Sequence, residues 1–347
     1  MKNILASLVL VTSSMSMAAN QLMVDGRLDH KSYSPNDAVG KPGYEAFQIS
    51  RLKLDYKGKL GEQNSFRVRL DGTQNTAAKQ VRDNSSAFMD IAYVSHKFTD
   101  QIALTMGKLA SSMGGIEGSV SSPGDMYLRT TAGDEIALVY QPTGAQADLT
   151  FGDHKVNVMM ANNTNETAVL SGANLAQTRS LAGATYTGKF MENNLTAIAS
   201  YHFEDFGAAT GTTKYKNNYS VIGGRFVIDA FEIEADYLAN KYDVDPQSTN
   251  VLGTISATIL GRYNIADLGS VHLKVESTEQ KTALTSTTEK KDKITGLTAA
   301  FEFKPVKDEN WRMHFAMVQK DNKPETGDTK TEKFIYAGMR FNADFLK

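Results

Sequence analysis

Between residues 50 and 72 the chain alternates apolar and charged positions with a period of two. Leu52, Leu54 and Tyr56 fall on one side and Arg51, Lys53 and Asp55 on the other. A polar stretch later, Phe66, Val68 and Leu70 oppose Arg67, Arg69 and Asp71. The polar stretch carries Gly58 and Gly61, so the two arms are predicted to pair as an antiparallel hairpin with one oily and one charged face.

The same alternation returns at 22–29, 87–98, 101–109, 134–141, 155–162, 181–190, 195–203, 219–228, 231–242, 253–263, 270–278, 294–303, 311–320 and 332–345. With the two arms this gives sixteen predicted strands and almost no helical periodicity. Residues 142–154 also alternate at Ala147, Leu149 and Phe151, but they are read as a connection, because a seventeenth strand would break an even count. The lysine-rich segment 281–293 is read as a loop.

Two hairpins can be tested internally. About Asp229-Ala230, Ile228 meets Phe231, Phe226 meets Ile233, Gly224 meets Ala235 and Ile222 meets Tyr237, while Arg225 falls opposite Glu234. About 191–194, Tyr186 meets Ala199, Gly188 meets Ala197 and Phe190 meets Leu195. A slip of one residue would destroy both faces at once.

Long polar connections alternate with short turns, the asymmetry of a transmembrane β-barrel with short turns on one side of the membrane and long loops on the other. Tyr56, Phe98, Tyr140, Phe190, Phe231, Phe303 and Trp311 all fall at the short-turn ends, where a ring of aromatics suits a membrane interface. In lipid an open sheet leaves backbone groups unpaired at several kcal/mol each, so a spanning sheet has to close. The predicted fold is therefore all-β, a closed antiparallel barrel of about sixteen strands. An exported soluble β-sandwich or adhesin, with the oily faces turned inward, is the competing architecture.

The first eighteen residues change the picture of location. Lys2 is followed by the apolar run 4–11 and small residues up to Ala18, the layout of a cleaved signal peptide, leaving 19–347 as one domain. The exported chain has no cysteine and is held by hydrogen bonds and burial alone. Thirty-seven basic against thirty-nine acidic residues give a net charge of −2, no footprint for nucleic acid. A mean hydropathy of −0.34 fits a barrel whose alternate residues face water.

Residues 49–72, together with Asp90-Ile91-Ala92-Tyr93-Val94, Leu104-Thr105-Met106-Gly107-Lys108 and Gly114-Gly115-Ile116-Glu117-Gly118, resemble Gram-negative porins of the phosphate-selective O/P type. That resemblance implies a homotrimeric, water-filled pore in the outer membrane, in contact with its lipid. It passes small hydrophilic solutes and ions and has a third external loop folded into the lumen. Residues 110–133 are the third long connection.

If the oily faces meet lipid, Arg51, Lys53, Arg67 and Arg69 line the lumen as a basic patch, since a charge facing lipid at mid-depth costs about 2–4 kcal/mol. Asp55 and Asp71 share that face and can neutralise it. Glu117, Asp125 and Arg129 on the third loop would narrow the path opposite the patch, and Arg225 and Glu234 would pair within an acidic row that also holds Glu232 and Asp236. A general-diffusion channel is the leading expectation, with an anion- or phosphate-selective channel as the alternative.

Nothing points to an enzyme or a cofactor. Of six histidines, His96, His202, His272 and His314 are expected on strands at inward parity, none with the spacing of a catalytic triad. No glycine-rich phosphate loop, metal cluster or calcium loop is present.

Overall fold

The computed structural model describes residues 20–73, 89–110, 113–119, 127, 129–131, 141–162, 180–208, 214–243, 251–283, 289–307 and 309–346. The predicted signal peptide lies outside the described residues. The strands are β1 (Gln21–Pro35), β2 (Tyr44–Leu60), β3 (Asn64–Asp71), β4 (Met89–Lys97), β5 (Ile102–Lys108), β6 (Thr143–Phe151), β7 (His154–Asn162) and β8 (Ser180–Phe190). They continue as β9 (Leu195–Ala208), β10 (Lys214–Ile228), β11 (Phe231–Asp243), β12 (Val251–Ile265), β13 (Gly269–Ala283), β14 (Glu289–Phe303), β15 (Trp311–Lys323) and β16 (Lys330–Asp344). Each pairs antiparallel with its neighbours, and β1 pairs with β16, closing the barrel.

Burial is inverted relative to a soluble protein. On β13 Leu273 is 53% exposed and its neighbour Lys274 only 7%; on β11 Ile233 is 53% exposed and Glu234 6%. Val271, Val275, Phe301, Phe315 and Met317 lie on the same exposed outer surface, whereas His272, Glu276, Glu302 and His314 are buried inside. Apolar residues outside and polar residues inside require an apolar solvent, so the sandwich reading falls. The outer aromatics Phe98, Phe190, Phe231 and Phe303 stand exposed at short-turn ends, and Phe231 packs against Tyr263 with centroids 4.7 Å apart. Tyr140 lies outside the described residues.

Both tested registers hold, down to Arg225 opposite Glu234 and Phe190 opposite Leu195. The sixth strand is a correction. Thr143–Phe151 is β6, carrying the Ala147, Leu149 and Phe151 alternation read as a connection, whereas all but the last residue of 134–141 lie outside the described residues. The two-residue turn Gly152-Asp153, with Gly152 at φ +59°, joins β6 to β7 and puts a short turn where the alternation of connections requires one. Several strands also outrun the sequence pattern. β1 continues to Pro35, and β13 and β14 run to Ala283 and from Glu289, so much of the lysine-rich segment is strand rather than loop. Its charges lie toward the long-loop end, where a strand can project beyond the oily band.

A bulge at Arg69/Leu70 changes one parity. Asp90 and Ile91 are consecutive, yet both are 1% exposed and on the inner side. Past the bulge β4 is out of step with simple alternation, and His96 shares the parity of the exposed Val94 instead of facing inward. It bonds Asn64 and packs against Phe98. His202, His272 and His314 are inward and buried.

Candidate functional site

The inner surface of β1–β4 carries the predicted basic patch, and every member has a carboxylate beside it. Arg67 grips Asp55 with two parallel bonds, Nε to Oδ1 at 2.9 Å and Nη2 to Oδ2 at 2.6 Å. Arg69 grips Asp90 the same way at 2.9 and 2.7 Å. Lys53 lies between two acids, 2.8 Å from Asp90 and 3.0 Å from Asp71. Arg51 pairs with Asp25, which also meets Arg340 at 3.5 Å. Fork-to-fork pairs of this kind fix geometry as well as charge. Asp25 and Asp90 complete the neutralisation that Asp55 and Asp71 begin. The four predicted cations thus each face a carboxylate, and two of these acids are shared further, Asp25 with Arg340 and Asp55 with Lys57 at 3.9 Å; the patch is a ladder of paired charges rather than a row of free cations.

Eight strands away in the ring, β11 lies across from β3. There the acidic row Glu232, Glu234 and Asp236 is used in two ways. Arg225 pairs with Glu232 at 2.8 Å and more loosely with Glu234 at 3.6 Å, while Arg262 reaches Glu232 at 3.0 Å. Asp236 instead receives the long segment after β5. The short helix α1 (Ile116–Ser119) presents its first N–H groups to it, Ile116 N–H to Oδ1 at 2.8 Å and Glu117 N–H to Oδ2 at 2.9 Å. These are donors a helix leaves unpaired. Two glycines make room: a Cβ on Gly115 would lie 2.2 Å from Asp236 Oδ1, and one on Gly223, opposite Asp236 on β10, only 1.9 Å.

The rest of the segment is tied to the same side of the inner surface. Glu117 accepts from Lys274 Nζ at 2.7 Å and from the N–H of Thr130 at 2.8 Å, Thr131 N–H donates to Glu276 at 2.8 Å, and Tyr127 donates to Glu302 at 3.1 Å. Apolar contacts anchor it twice. Met113 is buried with Leu109, Met159, Leu181 and Leu238, and Tyr127 with Ala300, Ala316 and Val318. Of the three predicted loop residues, Glu117 is bonded to the barrel, Arg129 is exposed and Asp125 lies outside the described residues. The anchors Asp236, Lys274, Glu276 and Glu302 on the barrel side were not predicted as partners, because their distance in sequence hides the contact; Asp236 was legible as an inward acid.

Ser270, His272 and Glu302 come together, but not as a relay. Ser270 Oγ lies 2.7 Å and Glu302 Oε2 3.9 Å from the same ring nitrogen, Nε2, whereas a triad needs opposite nitrogens. Among the described residues no group of three or more His, Cys, Asp or Glu could hold a metal ion.

The model of the phosphate-selective porin O and P family matches residues 24–221. No curated protein matches by sequence. Among solved structures, the chain is similar to an anion-selective porin from Comamonas acidovorans, at 13% identity and a TM-score of 0.65, covering 94% of this chain and 99% of that one. It is likewise similar to OmpT of Vibrio cholerae, at 12% identity and 0.63, covering 95% and 99%. The channel DcaP of Acinetobacter baumannii gives 13% identity and 0.59, covering 94% and 96%. At such identity the structures share the fold. The family match spans more than half of the chain and falls on the strands that carry the charged ladder. The chain belongs to the phosphate-selective porin O and P family, porins of the Gram-negative outer membrane whose closed barrel encloses a channel for passive diffusion.

Proposed function

We propose that this porin is a weakly selective channel for small hydrophilic solutes and ions, narrowed by the segment between β5 and β6. The observation that carries this reading is the compensation of the ladder. Each of Arg51, Lys53, Arg67 and Arg69 has a carboxylate within ion-pair reach, so the potential of the row falls off as a dipole well within the Debye length of ~8 Å in physiological salt. Such a lining orients water and dipolar solutes more than it sorts ions by sign. Family and fold support a channel rather than an enzyme.

In this reading Glu117 and Arg129 shape the narrow passage, with Asp125 in the same segment, and Arg225 and Glu234 set the field nearer the short-turn end. Residues 1–18 direct export and are removed. A homotrimer, like the trimer form described for OmpT, lets neighbouring barrels cover part of their oily surface.

Anion selectivity is the second reading, favoured by the side-chain exposure of Arg67 and Arg69 (19% and 16%) against 8% and 1% for their acids, so that the guanidinium groups are what a passing ion meets. Reversal potential of the refolded protein in a planar bilayer under a KCl gradient decides. A value near zero fits the compensated ladder, and a strongly anion-selective value would replace it with the second reading.

A further inference from the structure

One stretch of the inner surface is unlike the ladder. From the long-loop mouth downward, inward rings follow one another across β2, β1 and β16 to the segment after β5. Tyr44 lies 5.2 Å from Tyr33, Tyr33 5.0 Å from Phe334, Phe334 6.3 Å from Tyr336 and Tyr336 6.2 Å from Tyr127, centroid to centroid. The Tyr33–Phe334 and Phe334–Tyr336 pairs are stacked. Phe334 has no polar atom, and its neighbours at the same parity on β16 are Glu332, Tyr336 and Arg340. Phe334 and Tyr336 pack in part against Tyr127, Ala300, Ala316 and Val318 and stay half-exposed, so the ring surface left over offers an apolar face to a solute at the mouth.

The charge beside these rings is also unlike the ladder. Lys31 Nζ stands 4.9 Å from the centre of Phe334 and 5.7 Å from those of Tyr336 and Tyr44, and among the described residues it meets no carboxylate. A cation held by ring faces keeps its charge available to an incoming anion. Deeper, Arg27 lies 4.5 Å over Tyr127, but Asp29 already pairs with it at 2.9 Å. Rings and one uncompensated cation are thus together near the mouth.

We propose that this track binds small aromatic carboxylates, the solute's ring lying on Phe334 and Tyr336 and its carboxylate on Lys31. A neutral sugar would leave the lysine unused, and a simple inorganic anion would leave the rings unused. The proposal rests on the channel reading above and adds a solute class to it. Binding exchanges the ammonium's contact with the rings for an ion pair and frees ring surface for the solute. No covalent step is involved.

The test measures block of KCl current through single refolded channels, adding benzoate, cyclohexanecarboxylate or acetate on the long-loop side. Benzoate and cyclohexanecarboxylate match in charge and nearly in size, and differ in the aromatic ring. Benzoate is expected to half-block at a concentration at least tenfold below that of cyclohexanecarboxylate, with acetate weaker still. Phe334→Leu and Tyr336→Leu, which keep apolar bulk and are checked for folding by heat-modifiable migration, should bring benzoate to the level of cyclohexanecarboxylate. K31Q should weaken both. Equal block by the two acids, or benzoate block unchanged in the leucine variants, overturns the proposal. Absence of KCl current from folded protein would instead defeat the channel reading itself.

Discussion

Lys274 Nζ stands 2.7 Å from Glu117 Oε2, joining β13 to a segment 157 residues earlier in the chain. Both side chains are largely shielded, with Thr130 within reach of the same ammonium at 3.4 Å. Removing one partner of a fully buried pair costs about 3–5 kcal/mol. At the edge of a wet lumen the cost is lower, roughly 1–2 kcal/mol. Lys274→Met is therefore expected to loosen the segment, raising single-channel conductance and open-channel noise. Unchanged current traces would show that this contact does not hold the passage.

Asp90 serves two cations at once, Arg69 through a fork and Lys53 through one bond. Asp90→Asn leaves Arg69 without its acid while Lys53 keeps Asp71. The inner surface of β2–β4 then gains one positive charge, and reversal potential should move toward anions. The movement should shrink in 1 M salt, where the screening length is ~3 Å.

Reversing Arg67 and Arg69 to glutamate acts with the opposite sign and more strongly. Each replacement sets a carboxylate against the acid it formerly paired, Asp55 or Asp90. The double variant is expected to be cation-selective, read from the same KCl gradient. A potential that does not move would mean that these strands do not face the ion path.

Gly115 and Gly223 leave no room for a methyl group against Asp236. Gly115→Ala should break the bonds from Ile116 and Glu117, each unsatisfied buried donor costing about 1–3 kcal/mol. Asp236→Ala removes the same two bonds by another route. The double variant should then be no worse than the more damaging single, a non-additivity measurable in refolding titrations.

Leu273, exposed on the outer surface of β13 between Val271 and Val275, tests the lipid boundary. Leu273→Arg should cost about 2–4 kcal/mol in folding into bilayers, measured by urea titration in liposomes. Ile228→Arg, exposed on the same outer surface but at the short-turn end of β10, should cost far less.

The parts of this fold legible in the sequence are those in which neighbouring residues carry the whole signal. The β10–β11 register could be read because apolar matches such as Phe226 with Ile233 and the Arg225–Glu234 charge match both had to hold. β6 was misread although Phe151-Gly152-Asp153-His154 has the form of a tight hairpin, because the alternation at 134–141 had already filled the sixth place in an even count. The bulge at Asp90 is invisible to a period-two reading, which therefore turned His96 inward. Partners far apart in sequence escaped it as well, Lys53 with Asp90 and Glu117 with Lys274 among them. Charge type and facing were legible from each strand; the compensation belongs to the closed barrel.

The joint between β1 and β16 has a consequence for how the molecule comes into being. Tyr33 donates to Glu332 across 299 residues at 2.6 Å, and four residues away on β1 Asp29 meets His314, which reaches it from β15. One edge of β1 has no partner until β16 has been made. Contacts of such separation form slowly, because the chain must first be brought end to end. Until then two rows of backbone N–H and C=O groups would face hydrocarbon unpaired, at several kcal/mol each. Entry into the membrane and completion of the ring are therefore expected to be a single event, since a polypeptide lacking β16 would carry the facing edges of β1 and β15 into lipid.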